Sequence, residues 1–161
     1  TKLAGDEALL ASGCAAVILR VSWVYGLRGQ NFLLTMRRLM DEREQLRIVD
    51  DQIGAPTWCR TIAQVTSLVL ARLPADRDAQ MALRGVYHLA PSGSTSWFGF
   101  ASAIRDRLGL QCELQPIPTS AYPTAAVRPP NSRMDASRLE QTFGLAMPGW
   151  EDELRRCLAP S

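Results

Sequence analysis

Apolar and polar positions along this chain switch between a helical period and short unbroken runs, the pattern of an α/β protein. Leu3, Ala4, Glu7, Ala8, Leu10 and Ala11 form a small-residue stripe at helical spacing, so residues 1–12 are expected to be helical. Ser12-Gly13 supplies the stop, because glycine tolerates the left-handed C-terminal conformation. Ala15–Leu19 is a continuous apolar run, as in strands buried on both faces of a parallel sheet. Asn31 is placed to cap a helix from Phe32 to Arg43, apolar at Phe32, Leu34, Met36, Leu39 and Met40 and charged on its other side. Leu46–Val49 predicts a short strand, Asp50–Pro56 a loop, and Thr61–Leu73 a helix with Ile62, Val65, Leu68, Val69 and Leu73 on one face.

The second half alternates less cleanly. Pro74–Arg84 predicts an exposed, mobile polar connector, and Gly85–Ala90 a strand. Ser92–Ser96 is a turn offering caps to a helix from Trp97 to Leu108, which Gly109 ends. Cys112–Pro116 suits a short edge strand closed by Pro116 and Pro118. Pro118, Pro123, Pro129 and Pro130 argue against regular structure over residues 118–133. Asp135 is placed to cap a helix from Ala136 to Phe143, and Gly149-Trp150 opens a last amphipathic helix to Leu158.

Composition narrows the function classes. The chain has 161 residues, 47% of them hydrophobic and 21% charged, enough for a sizeable core and unlike a disordered segment. The formal net charge is only +2 and the arginines are scattered among acids, so no nucleic-acid partner is expected. Cys14, Cys59, Cys112 and Cys157 are widely spaced, no Cys-x-x-Cys occurs, and His88 is the sole histidine, which excludes the usual zinc motifs. Without a visible signal peptide, four reduced thiols in a cytoplasmic protein are expected. No apolar run reaches the length of a membrane span, so no membrane partner is expected. The chain begins at Thr1 rather than methionine, which fits a fragment or processed chain.

The candidate chemistry gathers where strands run into loops, the usual place for ligands in α/β proteins. Trp23 follows the first strand, flanked by Ser22 and Tyr25. An aromatic that plugs the core is the commoner fate of a tryptophan; its place at the end of a buried strand makes a ligand-facing ring the alternative. Asp50-Asp51 is an acidic pair without further ligands, weak as a magnesium site and better suited to shaping the loop. The start of the Phe32 helix offers N–H groups to a diphosphate, although capping by Asn31 already explains that residue. Arg128 has the planar fork suited to a nucleotide diphosphate, or ties its loop to the sheet. His88 and Ser92-Gly93-Ser94 read as structural, the latter by capping.

Four segments in order resemble one family: Thr1-Lys2-Leu3-Ala4-Gly5-Asp6-Glu7; Arg20-Val21-Ser22-Trp23-Val24-Tyr25-Gly26; Leu46 through Asp50-Asp51-Gln52-Ile53-Gly54-Ala55-Pro56-Thr57; and Arg128-Pro129-Pro130-Asn131-Ser132. They resemble the extended short-chain dehydrogenase/reductase superfamily and, within it, the dTDP-4-dehydrorhamnose reductases. The resemblance covers residues 1 to about 158. It implies an α/β fold: the C-terminal part of a Rossmann-like NAD(P)-binding fold plus a smaller substrate-binding α/β domain. Residues 1–30 would be the last helix and strand of the former, and 31–161 mostly the latter. Lys2 would be the catalytic lysine, facing the nicotinamide ribose and lowering the pKa of an upstream tyrosine. Val21 and Ser22 would approach the nicotinamide by main chain. Trp23 would contact the deoxysugar, with Gln52, Arg128 and Asn131 as further substrate-binding candidates.

The implied reaction is NADPH- or NADH-dependent reduction of the C4 ketone of dTDP-4-dehydro-6-deoxy-L-mannose to dTDP-L-rhamnose, a precursor of cell-surface polysaccharide. The chain itself has no Gly-x-x-Gly-x-x-Gly cradle and no Tyr-x-x-x-Lys tyrosine, so alone it is expected to be inactive. Some relatives form homodimers through magnesium-bound glutamates; Arg60 stands near one such position, which weakens the case for magnesium here. Two rivals remain: a non-catalytic nucleotide-sugar-binding or regulatory module of the same superfamily, and a nucleotide-sugar epimerase or dehydratase. Trp23 favours the reductase. A glycine fingerprint and a tyrosine upstream of Thr1 would favour enzyme over module.

Overall fold

The computed structural model describes residues 1–122, 126 and 128–159; Pro123 lies outside them. The chain opens with helix α1 (Lys2–Ala11), ended at Ser12 with Gly13 at φ +75°. Strand β1 (Val17–Arg20) follows, then the two-residue β2 (Val24–Tyr25) and helix α2 (Phe32–Glu42). Asn31 caps α2 as its sequence position predicts, its Oδ1 accepting from the Leu34 N–H at 3.2 Å. Strand β3 (Gln45–Val49), the short β4 (Ile53–Gly54) and β5 (Thr57–Trp58), and helix α3 (Cys59–Ala71) come next.

Helix α4 (Arg77–Ala82) replaces the mobile connector expected after Pro74. Asp76 makes the difference: its Oδ2 accepts from the Ala79 N–H at 2.8 Å and closes a turn that apolar periodicity does not mark. Strand β6 (Gly85–His88), the short β7 (Thr95–Ser96) and helix α5 (Trp97–Leu108) follow, α5 ending on Gly109 at φ +65°. Strand β8 (Glu113–Ile117) runs through Pro116, which was expected to end it. An edge strand tolerates a proline because one row of its backbone groups needs no partner. Helix α6 (Ser137–Phe143) is preceded by Asp135, which accepts from the Ser137 N–H, and α7 (Trp150–Cys157) completes the described structure.

The strands pair two by two: β1 with β6, β2 with β5 and β3 with β8 in parallel, and β4 with β7 antiparallel. Parallel β1 agrees with its apolar run, but its four residues are half-buried rather than sealed. Two apolar cores result. Leu33 and Met36 of α2, Leu46 and Ile48 of β3, and Phe100 and Ile104 of α5 belong to one. Val65 and Val69 of α3, Tyr87 of β6, and Leu139 and Phe143 of α6 form the other, against which Val17 and Leu19 of β1 pack. Side chains as completely buried as Leu33 and Phe100 each stabilise the fold by about 1.5–3 kcal/mol.

Candidate active site

The end of β1 and the start of β4 converge on Trp23. This residue has φ +48°, the one positive value among the described non-glycine residues. The left-handed region is unfavourable for a bulky side chain and persists only where its surroundings hold it. The Trp23 carbonyl accepts from the Thr57 N–H at 3.1 Å, where β2 begins to pair with β5. Its indole lies flat on that of Trp97, with centroids 3.6 Å apart and planes 6° from parallel. Gly54 packs against the same ring, and a Cβ there would collide with the Trp23 indole and stand 2.7 Å from the Ser132 hydroxyl. The site therefore needs glycine at this position for its close approach.

From Trp97 an aromatic series descends into the core. Phe32 lies 4.6 Å from Trp97, Phe100 5.5 Å from Phe32, and Trp150 6.1 Å from Phe100, centroid to centroid. Trp23 thus stands half-buried at the outer end of a packed column, neither sealed in the core nor loose.

Polar side chains brace the same region. The Trp97 Nε1–H donates to Gln52 Oε1 at 3.2 Å, and Gln52 Nε2 donates to the Thr119 hydroxyl at 3.0 Å. That hydroxyl donates to Asp51 Oδ1 at 2.5 Å, while the Thr119 N–H adds a 2.9 Å bond to the same carboxylate. These bonds, the hydroxyl's first, hold the Asp51 carboxyl below the usual carboxylate range. The Ser96 hydroxyl donates to Asp50 at 2.5 Å and accepts from the Gly99 N–H at 2.9 Å, so one serine caps α5 and ties it to the acidic loop. Asp50 and Asp51 therefore act on separate partners, and among the described residues no group of three or more His, Cys, Asp or Glu side chains is arranged to hold a metal.

The Arg128 segment arrives beside this loop. Ile53 N–H donates to the Pro130 carbonyl, and the Ser132 N–H and hydroxyl both donate to the Ile53 carbonyl, at 2.8, 2.8 and 3.0 Å. Asn131 and Arg128 are exposed, the Asn131 Oδ1 being engaged by the Arg133 backbone and guanidinium. Trp23, Gln52 and the 130–132 segment are thereby brought together. Gln52 itself is only 7% exposed, its amide committed to Trp97 and Thr119.

Lys2 stands apart from this cluster. It is exposed at the start of α1, a helix with no buried residue. The Asp6–Arg20 ion pair, 2.6 Å, ties that helix to the end of β1. Between the two regions lie Val21, 38% exposed, and Ser22, whose buried hydroxyl has no hydrogen-bond partner among the described residues.

Beside Trp58 and Tyr25, the Glu153 carboxylate is buried; its Oε2 accepts from the Trp58 N–H at 2.9 Å and its Oε1 has no partner among the described residues. Burial pushes this carboxyl up, against the opposing effect of the Trp58 and Thr61 hydrogen bonds. Burial likewise raises the neighbouring Tyr25 hydroxyl, and Cys157 is pushed up to about 11.

Residue reading by itself singled out Trp23 and the acidic loop as candidates and Ser92–Ser96 as a capping turn, but it missed the parts played by Trp97, Thr119 and Ser132 around Trp23 and the tie from Ser96 to Asp50. Trp97 had been read only as the first residue of a helix. Its one local signal is an indole placed directly after a serine cap, at a loop end rather than along the apolar face.

Comparison with known proteins agrees with this geometry. The RmlD substrate binding domain model matches residues 1–161, and the chain belongs to that family. A dTDP-4-dehydrorhamnose reductase of Burkholderia thailandensis is 43% identical over 98% of this chain and 56% of its own length. Its counterpart in Escherichia coli K12 is 38% identical over 98% of this chain and 54% of its own length. The chain thus spans about half the length of the curated relatives it matches. The crystal structure of a dTDP-4-dehydrorhamnose reductase from Bacillus anthracis in complex with NADP aligns with a TM-score of 0.81 at 34% identity, over 97% of this chain and 52% of that one. A UDP-N-acetylglucosamine 4-epimerase from Bacillus cereus shares the fold, with a TM-score of 0.66 at 13% identity over 96% of this chain and 48% of its own. The mixed α/β architecture is one found in about half of each of these Rossmann-like proteins.

Proposed function

We propose that this member of the RmlD substrate-binding family is the sugar-holding part of an NAD(P)H-dependent dTDP-4-dehydrorhamnose reductase. The observation that carries the reading is Trp23, held in a left-handed conformation and stacked on Trp97 at the end of a parallel strand. A rigid, half-buried indole at that place suits the apolar face of a deoxysugar, and the reductases named above match the chain along nearly its whole length.

The residues present fit one edge of a nicotinamide cofactor, which when bound supplies hydride for the C4 ketone. Val21 is exposed and the Ser22 hydroxyl is unpaired among the described residues, so both suit a carboxamide. Lys2, at the head of α1, supplies a positive charge that favours the ionised form of a neighbouring tyrosine and so assists proton transfer to the substrate oxygen. Trp23 orients the sugar, and the exposed Arg128 and Asn131 are available to the nucleotide diphosphate. In this reading residues 1–30 serve the cofactor side and 31–161 mostly the substrate side. No step is assigned to magnesium, since the acidic pair is engaged by Thr119 and Ser96. Pairing of two full-length copies and a cytoplasmic location belong to the same proposal; no helix among the described residues is long and apolar enough to cross a membrane.

The test is NADPH consumption by the full-length protein with dTDP-4-dehydro-6-deoxy-L-mannose, alongside the 161-residue chain alone. Stoichiometric oxidation with appearance of dTDP-L-rhamnose by the full-length protein, and none by the chain alone, is expected. Nucleotide-sugar binding without turnover would favour a regulatory module. Conversion without net NADPH consumption would favour an epimerase or dehydratase.

A further inference from the structure

The residues around Trp23 form a directed chain rather than a loose cluster. An indole N–H can only donate, so Gln52 must present its carbonyl oxygen to Trp97. Its NH₂ then faces the Thr119 hydroxyl, whose own hydrogen is given to Asp51. Every donor in the sequence Trp97–Gln52–Thr119–Asp51 has one acceptor, and the chain ends on a carboxylate. The series runs from the buried Gln52 amide to a solvent-exposed carboxylate, and its buried end sets the tilt of the Trp97 ring about its helix. Trp97 in turn is the surface on which Trp23 lies, at 3.6 Å and 6°. Phe32 packs against Trp97 and so leaves its ring little freedom.

Gln52 is 7% exposed and both ends of its amide are engaged, so its role differs from that of a residue touching the sugar. We propose that Gln52 and Thr119 are positioning residues: through Trp97 they fix the orientation of Trp23 and thereby the affinity of the sugar site. This rests on Trp23 being the sugar wall, as proposed above. The acidic loop acquires a function in the same step, because Asp51 anchors the far end of the series without touching the ligand.

The experiment is a double-mutant cycle in the full-length reductase. Gln52→Met removes the acceptor for Trp97 at similar volume, and is measured with and without Trp23→Ala. Losing both hydrogen bonds of the Gln52 amide should raise KM about fivefold or more, with a smaller change in kcat. In the Trp23→Ala background the same substitution should leave KM within about twofold, because the ring it orients is gone. Thr119→Val should resemble Gln52→Met, and Thr119→Ser, which keeps the hydroxyl, should restore the wild-type KM. Near-UV circular dichroism gives a readout independent of activity. The band lost in Trp23→Phe should also be lost or inverted in Gln52→Met and Thr119→Val and retained in Thr119→Ser.

Equal KM effects of Gln52→Met in both backgrounds would overturn the proposal, since Gln52 would then act on substrate directly. So would an unchanged near-UV band. If Gln52→Met fails to fold, the Thr119→Val and Thr119→Ser pair decides alone. If Trp23→Ala leaves KM unchanged, the sugar-wall reading fails, while the circular dichroism still decides whether the series orients Trp23.

Discussion

Trp23 and Lys2 stand at the two ends of the stretch of sequence that runs through α1 and β1, and they are held in opposite ways. Trp23 is fixed at every level: its carbonyl by Thr57, its ring by Trp97 and Gly54, and that support by Gln52, Thr119 and Asp51. Lys2 is exposed on a helix without a buried residue, tied to the sheet through the Asp6–Arg20 pair. The proposed sugar wall is thus built by contacts within this chain, whereas the lysine owes its proposed chemistry to groups brought to it. Perturbing one end should change how tightly substrate is held; perturbing the other should change how fast it reacts.

The comparison is broken most severely at Lys2. In the full-length protein Lys2→Ala is expected to lower kcat by about 10²–10⁴-fold with little change in KM, the usual worth of general acid–base assistance. Steady-state kinetics across pH checks this, and an unchanged kcat would place the lysine role elsewhere. Gly54→Ala attacks the opposite end. Its Cβ must displace the Trp23 ring or the Ser132 hydroxyl, so a loss of about 1–3 kcal/mol in unfolding free energy and a raised KM are expected, with kcat little affected.

Glu153 sharpens the same contrast from its place beside Trp58 and Tyr25. Its folded-state pKa is raised by burial, so its contribution to stability is greatest when it is protonated. That contribution is lost as pH rises from the unfolded value of about 4.3 through the folded one. Glu153→Gln keeps an acceptor for the Trp58 N–H and removes the buried charge. Thermal unfolding should show this variant gaining stability relative to wild type at pH 7 but not at pH 4. Asp6→Asn should have the smallest effect. Its ion pair with Arg20 is partly exposed, with side chains 38% and 19% accessible, and such pairs contribute about 0–1 kcal/mol. A denaturant titration should register a small loss, accompanied by faster hydrogen exchange along α1.

Much of this was legible in the sequence wherever a cap and a period coincided. Asn31 and Ser96 announce α2 and α5, and Gly109 closes the latter at Leu108. Trp23 stood out in the sequence as a site candidate because it sits at a strand-to-loop junction. Helix α4 was hidden because its six residues carry no apolar stripe and its cap, Asp76, lies in a segment rich in polar residues. Pro116 misled because the proline rule is about ladder bonds, and among the described residues β8 pairs with β3 alone. Trp97, Thr119 and Ser132 were illegible for a different reason. Each meets Trp23, Gln52 or Gly54 across a long stretch of chain, and no local period encodes such a meeting. Gln52 was picked out as a substrate candidate, but its buried amide, committed at both ends, could be seen only once the loop was folded.

The most direct measurement of the division between holding and reacting is equilibrium binding of dTDP-L-rhamnose by calorimetry to the full-length protein and its Trp23→Ala and Lys2→Ala variants. Binding to Trp23→Ala should weaken by about tenfold or more, as expected for loss of a buried aromatic anchor, while Lys2→Ala should bind close to wild type. Equal affinities for wild type and Trp23→Ala, or a loss confined to Lys2→Ala, would contradict the assignment of the sugar wall to this chain.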